Sequence, residues 1–355
     1  MSFHFDAGVH VPHRMQPGLR RLAPGAAQLT PSVVPQRGAA RHLREKLAVL
    51  WAFRDQALLR APGFDAGPAL QALAAHAAAE HPDAWRLIHG KAGGQWQAPW
   101  LGWAIDEDEQ PHDIGTGWPE IGTLLHDTPP EWRRTVLLSL AFAEDFAVID
   151  GATGTLPWLA VALPSMWAPE QKIGRSFAEV HAPVADNRLI VGAAPQLVKL
   201  VTGGMAPETP AASPPQGGVG PLGRPGETDR WERFVWTLTA HPRLHGHPQR
   251  IDPARWPAGL DDDALAAQTW WRTERQTFIP VPAVDGGPSQ AVFTILVDVT
   301  PLAQAFSQPA QAARVHDALA SMSEAVLAYR GLTQAQAPLL RWLARRAEDR
   351  IAPVV

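Results

Sequence analysis

Three stretches in the first part of the chain repeat apolar residues at the spacing of an α-helix. Between residues 39 and 60, apolar side chains recur every three to four positions and form one stripe. A second, alanine-rich stretch runs to about Pro82, and a third, EWRRTVLLSLAFA, follows Pro129 and Pro130. Proline is favoured in the first turn of a helix, so the paired prolines mark a helix start. The pattern predicts three helices before residue 144, the first of them amphipathic.

Five other stretches are rich in β-branched and aromatic residues and predict strands. They cover residues 144–150, 156–164, 233–241, 270–282 and 291–299. The first two are separated by the turn GATG and the last two by the glycine-containing loop AVDGGPSQ, so each pair predicts a hairpin. We expect an α+β fold, with a PAS-like antiparallel sheet of about five strands and flanking helices. Two strands, then helices, then three strands is also the order of PAS-type domains.

The pattern divides the chain into three regions. Residues 1–126 predict an N-terminal helical and loop region. The segment 90–128, at its end, has no clear period and predicts loops and short elements. Residues 127–305 predict the sheet domain, and 306–355 predict C-terminal helices over 308–330 and about 333–350. Six prolines and seven glycines among residues 203–229 predict a flexible insertion within the sheet domain.

Composition excludes several classes of function. The 355 residues are 46% hydrophobic with a net charge of −4, which predicts a globular protein without a nucleic-acid surface. Neither a signal-peptide pattern nor an apolar run of membrane-spanning length is present, so we expect a cytoplasmic protein without a membrane partner. Cysteine is absent, which excludes disulfides, thiolate zinc sites and thiolate-bound iron–sulfur clusters on this chain.

A histidine lies on the apolar side of a predicted helix end. The segment KIGRSFAEVHAPV, residues 172–184, places Ile173, Phe177 and Val180 on one stripe with His181 beside them. Two interpretations remain open. His181 is either a partly buried histidine bonded to a backbone carbonyl, or the ligand of a haem iron, which accepts one neutral imidazole from an apolar surface. In the second interpretation, Lys172 and Arg175 are candidates to bind the haem propionates.

The stretch WWRTERQTF carries charge on both faces of a predicted strand. At period two, Arg272, Glu274 and Gln276 share one face, while Arg275 lies on the other. A strand that only packs would not do this, because buried charges are costly unless they are paired. It is either an edge strand with Arg–Glu pairs facing water, or the polar wall of a cavity that holds a propionate, an amine or bound oxygen. Trp270 and Trp271 are candidates for cation–π contact with such an amine.

Several blocks of the chain together resemble one known family. In order they are MQPGLRRL, AEDFAVID, LPSMWAPEQKIGRSFAEVHAPV, and WWRTERQTFIPVP followed by AVFTILVDVTPL. They resemble the haem-dependent oxidative N-demethylases, α-subunit-like, over roughly residues 14 to 305. The chain departs from the family where Ile279–Pro282 replaces an Arg-Arg-Leu-Pro sequence, and where Leu296 replaces an arginine of the last strand.

The resemblance implies a PAS-like fold that binds haem b and oxidises a small methylated amine with O2, releasing formaldehyde. It implies electron donation by separate flavin and iron–sulfur subunits. By position it makes His181 the iron ligand and places Arg272, Glu274, Arg275 and Gln276 around the haem or its distal pocket, with Glu274 and Arg275 as the catalytic candidates. Lys172, Arg175, Arg272 and Gln276 are the other candidates for contact with the haem. The alternative is a haem-binding PAS-like sensor or scaffold without turnover.

Overall fold

A computed structural model describes residues 3–90, 93–115, 117–203, 230–251, 256–281, 283 and 289–348. The predicted flexible insertion at 203–229 lies, apart from Gly203, outside the described residues, as does most of the loop between the last two strands.

Thirteen strands occur in the described residues. In chain order they are β1 (Arg20–Arg21), β2 (Val33–Val34), β3 (Gly38–Ala39), β4 (Leu58–Arg60), β5 (Arg86–Gly90), β6 (Gly93–Ala98), β7 (Trp103–Ile105), β8 (Pro111–Asp113), β9 (Asp145–Asp150), β10 (Trp158–Ala160), β11 (Trp231–Thr239), β12 (Trp270–Val281) and β13 (Gln290–Pro301).

Twelve α-helices accompany them in the same residues. They are α1 (Phe5–Gly8), α2 (Arg41–Ala57), α3 (Gly67–Glu80), α4 (Pro119–Asp127), α5 (Pro130–Ala141), α6 (Phe177–His181), α7 (Arg188–Gly192), α8 (Ala194–Val201), α9 (Asp262–Ala267), α10 (Pro309–Ala320), α11 (Glu324–Arg330) and α12 (Gln336–Glu348).

The main sheet has seven strands in the order β1-β11-β12-β13-β9-β10-β4, and every neighbouring pair is antiparallel. All five predicted strands are present, and the α+β class with an antiparallel sheet is confirmed. The predicted number of about five is wrong, because β1 and β4 extend the two edges. These strands have two and three residues, which is too short for a readable alternation. Both strands belong to the predicted N-terminal region, so this region contributes strands to the same sheet as the predicted sheet domain.

A second, four-stranded sheet occupies part of the segment that was predicted as loops and short elements. Strands β5 to β8 pair in chain order and are antiparallel throughout. Trp96 and Trp103 from this sheet are buried in the main core. Each strand is short, and Trp and Gly dominate the stretch, so the sequence shows no period there.

The predicted helices are present as α2, α3 and α5, but the helix that contains His181 is shorter than predicted. Helix α6 begins only at Phe177, after a capping box in which Ser176 and Glu179 bond each other's backbone amides. Gly174 has a φ of +72°, a left-handed conformation that an α-helix cannot include. Helices α7 and α8 were not predicted, and the C-terminal region forms three helices where two were expected.

The two faces of the main sheet pack differently. Phe146, Val148 and Val292 lie on one face, in a core cluster shared with α2, α3 and α5. Ala147 and Ile149 lie on the other face, in a cluster that includes residues of α6 and α8. The alternation follows from the period of two along each strand. Helices α6 to α8 therefore cover one face, and the candidate site lies there. None of the helices in the described ranges has the length and apolar character needed to cross a membrane.

Candidate functional site

A cavity of about 890 Å³ lies between the sheet and helices α6 to α8. Its apolar walls come from both sides, from β9, β10, β12 and β13 and from the helices. The principal apolar lining residues are Ile149, Leu156, Leu159, Val180, Val198, Val201, Phe278 and Phe293. Two loops, around residues 165–167 and 240–251, form another part of the wall. Ligand sites typically have about 300–1,000 Å³, so this cavity can take a large cofactor.

His181 lines the cavity at the end of α6, with one ring nitrogen already bonded. Its Nδ1 lies 2.8 Å from the carbonyl oxygen of Phe177, and the two rings are 4.2 Å apart between centroids. A carbonyl oxygen can only accept, so Nδ1 carries the proton and Nε2 keeps its lone pair. The two interpretations of this histidine are therefore compatible. The bond to the backbone fixes the tautomer that a metal needs.

The environment keeps this imidazole neutral. Burial lowers the pKa of His181 to about 4, the backbone bond to Phe177 opposes the shift, and the positive charges of Arg233 and Lys172 add to it. A neutral imidazole is the form that binds iron.

Lys172 and Arg175, the two cations predicted beside His181, separate in the structure. Lys172 lines the cavity, and its Nζ donates to the carbonyl oxygen of Val180 at 2.7 Å, in the last turn of α6. Arg175 is exposed and pairs loosely with Glu179 at 3.9 Å. Arg175 is not one of the described residues that line the cavity. Its charge therefore faces solvent, whereas that of Lys172 faces the cavity.

The alternation along β12 divides the predicted R-ERQ residues between the two faces. Arg272, Glu274 and Gln276 line the cavity. Arg275 lies on the opposite face, where its Nε donates to Glu232 at 2.9 Å and its Nη1 donates to the carbonyl oxygen of Ala27 at 2.9 Å. The structure thus separates the two predicted catalytic residues, and Arg275 forms a buried ion pair away from the cavity. Trp271 lies on that face too, stacked on Trp236 at 4.8 Å.

Arg272 joins the two loops at the cavity wall. Its guanidinium donates to Ser165 Oγ at 2.7 Å and to three carbonyl oxygens, those of Arg243 at 2.9 Å, Pro164 at 3.1 Å and Leu244 at 2.6 Å. These acceptors are all neutral. Burial lowers its pKa to about 10, so it remains charged at neutral pH. The adjacent Gly246 is needed for this arrangement, because an added Cβ would approach the carbonyl oxygen of Pro164 to 2.8 Å.

Glu274 is the one carboxylate that lines the cavity among the described residues. Gln276 Nε2 donates to Glu274 Oε2 at 2.6 Å, which orients the carboxylate and leaves Oε1 available. Arg233, on the neighbouring strand β11, faces the same cavity. Its Nε is shielded from solvent and has no hydrogen-bond partner in the described part of the chain. Burial lowers its pKa to about 10, and the negative charge of Glu274 opposes the shift.

Arg233 is not among the candidates predicted from the sequence, although its position in the strand pattern indicates it. In RFVWTLTAH, residues 233–241, Arg233 shares a strand face with Val235 and Thr237. A charged residue at an inward-facing position of a strand is the same kind of anomaly that identified Glu274.

Residues 224–340 match the family model described as haem-dependent oxidative N-demethylase, alpha subunit-like. This confirms the resemblance drawn from the sequence. The match covers about a third of the chain and includes β11, β12 and β13 with the R-ERQ residues. His181 lies outside the matched range, so its assignment depends on the geometry of the cavity.

Proposed function

We propose that this chain, which resembles haem-dependent oxidative N-demethylases over residues 224–340, would bind haem b in the cavity, with His181 as the residue that would hold its iron. The observation that carries the proposal is a neutral His181 at an apolar cavity wall, with Nδ1 bonded to Phe177 and Nε2 without a hydrogen bond to any described residue. We further propose that five strands, β9 to β13, form a PAS-like core in a cytoplasmic protein.

The residues of the cavity fit this cofactor. The macrocycle is a wide apolar plate, and the facing side chains of Leu159, Val198 and Phe293 offer apolar walls. Haem b also carries two propionates that need cations. Arg243 and Arg250 line the cavity in the 240–251 loop, where Arg243 is exposed, so they suit propionates at a solvent-facing edge. Arg272 holds the backbone of Arg243 and so positions one of these cations.

The reaction is the oxidative removal of a methyl group from a small methylated amine. When bound, haem would supply the activation of O2. The bond between nitrogen and the methyl carbon breaks, and the carbon loses two electrons and leaves as formaldehyde with one oxygen atom of O2. The nitrogen keeps a hydrogen and leaves as the demethylated amine. O2 gains four electrons, two from the methyl carbon and two from an external donor, and its second oxygen atom becomes water with two protons from solvent. We propose that the donor is a separate flavin and iron–sulfur system.

The chain's own residues would bind the amine and move a proton. Glu274 Oε1 would accept a hydrogen bond from the amine nitrogen and receive its proton, while Gln276 holds the other carboxylate oxygen. Arg275 has no part in this step, because it is bonded to Glu232 on the far side of the sheet.

The direct test is the His181→Ala variant, purified after expression with added haem. We expect it to lose the Soret band of the wild type, whereas His112→Ala, an exposed histidine paired with Asp106, retains it. Unchanged haem content in His181→Ala would overturn the assignment. Wild-type protein with chemical reductant, dimethylamine and O2 should then release formaldehyde. If haem binding requires His181 but the protein releases no formaldehyde from any methylated amine, the result would instead favour the non-catalytic sensor or scaffold.

A further inference from the structure

The cavity is unusually rich in positive charge for a site that binds a simple amine. Its described lining contains six Lys and Arg side chains against one carboxylate, Glu274. The cations are Lys172, Arg233, Arg243, Arg250, Arg272 and Arg330. The two propionates of haem would neutralise two of these charges. A small alkylammonium ion would still bind beside the remaining positive charges of the cavity lining, and their repulsion disfavours its binding.

Most of these cations are held by neutral groups. Lys172 and Arg272 donate to carbonyl oxygens and a hydroxyl, and Arg250 donates to the side-chain amide of Gln56. Arg233 differs from them, because its Nε is shielded from solvent and has no acceptor among the residues that the structure describes. A shielded guanidinium nitrogen without an acceptor is costly, and it is the donor that an anionic ligand group would satisfy.

Arg233 and Glu274 face the cavity side by side without bonding to each other. In the register of β11 and β12, Val235 is opposite Glu274 and Arg233 is opposite Gln276, so the two charged residues are diagonal neighbours. Diagonal positions in an antiparallel pair are about 7–8 Å apart. No ion pair joins Arg233 to Glu274, although both belong to the described part of the chain. A cation and an anion are thus held apart at one wall.

We propose that the substrate of this chain is a zwitterionic N-methylated amino acid, whose carboxylate binds Arg233 and whose methylammonium group binds Glu274. The inference rests on the proposed function and specifies its substrate class. The carboxylate would satisfy the free donor of Arg233, and the ammonium would occupy the free oxygen of Glu274. Arg–carboxylate pairs are strong because both partners are charged and the fork geometry matches.

The experiment compares two ligands that differ by one carboxylate. Haem-loaded full-length protein is titrated with N-methylglycine and with dimethylamine, and binding is followed by the haem absorption spectrum and by calorimetry, neither of which requires turnover. We expect N-methylglycine to bind about 10- to 100-fold more tightly, the range of one charged hydrogen-bonded contact. N-methylglycinamide, which lacks the anion, should bind as weakly as dimethylamine.

Arg233→Gln should abolish the preference for N-methylglycine, while Arg175→Gln, which removes one positive charge outside the cavity, should retain it. Equal or tighter binding of dimethylamine, no binding of either ligand, or an unchanged preference in Arg233→Gln would overturn the inference. So would loss of haem from Arg233→Gln, because that result would assign Arg233 to a propionate. A haem-loaded protein that prefers dimethylamine and demethylates it would overturn the substrate class alone. Haem retained by His181→Ala would instead overturn the proposed function.

Discussion

The Nδ1 atom of His181 and the carbonyl oxygen of Phe177, one turn earlier in the same short helix, are 2.8 Å apart. This bond assigns the proton to Nδ1 and leaves the Nε2 lone pair for a ligand in the cavity. It also fixes the ring plane against the Phe177 ring. A backbone bond and an available nitrogen on one imidazole are what a preorganised metal ligand requires.

Haem affinity should depend on pH through His181. Burial lowers its pKa to about 4, so the ring is neutral from pH 8 to about pH 5 and haem affinity should change little there. Below about pH 4, each pH unit should lower the affinity roughly tenfold, because a proton competes for the ligand nitrogen. Absorbance titration of the haem-free protein measures this, with circular dichroism at each pH as the control for folding. A tenfold loss per unit that already begins near pH 6.5 would contradict it.

The ion pair of Arg275 and Glu232 should matter for stability and not for haem. Arg275→Met leaves a buried Glu232 carboxylate with only the partly exposed Arg20, at 2.7 Å. Leaving a buried charge without any partner costs about 3–5 kcal/mol in the free energy of unfolding, and the remaining pair with Arg20 makes this the upper limit for the variant. Urea denaturation measures the loss, and haem affinity of the folded variant should equal that of the wild type. The double variant Arg275→Met/Glu232→Gln should recover part of the stability. Weaker haem binding in folded Arg275→Met would refute the separation of the two faces.

The guanidinium group of Arg272, and not only its positive charge, should be required to hold the two cavity loops in place. Arg272→Lys keeps a cation but cannot reach four acceptors on Ser165, Pro164, Arg243 and Leu244 with one ammonium group. Each buried acceptor left unpaired costs about 1–3 kcal/mol, so we expect the variant to be less stable by a few kcal/mol and to lose haem faster. Urea denaturation and haem transfer to apomyoglobin measure these two effects. Wild-type values for Arg272→Lys in both would show that charge alone suffices.

The sequence was most informative where one geometric rule applies to every residue of an element. The period of two along WWRTERQTF separates Arg275 from Arg272, Glu274 and Gln276, and the structure has this division. Glu274 and Arg275 are nevertheless both predicted to be catalytic, because they lie together in the block that resembles the family. The long strands and the helices α2, α3 and α5 were predicted for the same reason, since they contain enough residues to show a period.

Other features depend on contacts between distant segments and could not be predicted from local patterns. The diagonal placement of Arg233 and Glu274 is set by the register between β11 and β12, which are separated by about thirty residues of loop and helix. The edge strands β1 and β4 form only because β11 and β10, which are distant in the sequence, offer them a partner. The length of α6 was also misjudged. The sequence shows a glycine at 174 and the Ser176–Glu179 spacing of a capping box, but the apolar stripe that crosses them predicts a continuous helix.

Glu144 should make the protein less stable as the pH rises through neutrality. Its side chain is buried, Oε2 accepts a hydrogen bond from the amide of Thr30 at 2.9 Å, and Oε1 has no hydrogen-bond partner among the described residues. Burial raises the pKa of Glu144 from 4.5 to about 7, with the amide of Thr30 and the charge of Lys46 opposing the shift. Between these two values the folded state binds more protons than the unfolded state. The stabilisation is therefore complete below pH 4.5 and is lost as the pH rises to about 7.

Glu144→Gln removes this dependence, because the amide resembles the protonated carboxyl group. Relative to the wild type, the variant should gain on the order of 3 kcal/mol in the free energy of unfolding between pH 4.5 and pH 7.5, since each pKa unit corresponds to about 1.4 kcal/mol. Urea denaturation of both proteins across this range measures the difference, and Glu131→Gln, an exposed residue of α5, is the control. A constant difference in stability across the range would show that Glu144 titrates normally in the folded protein.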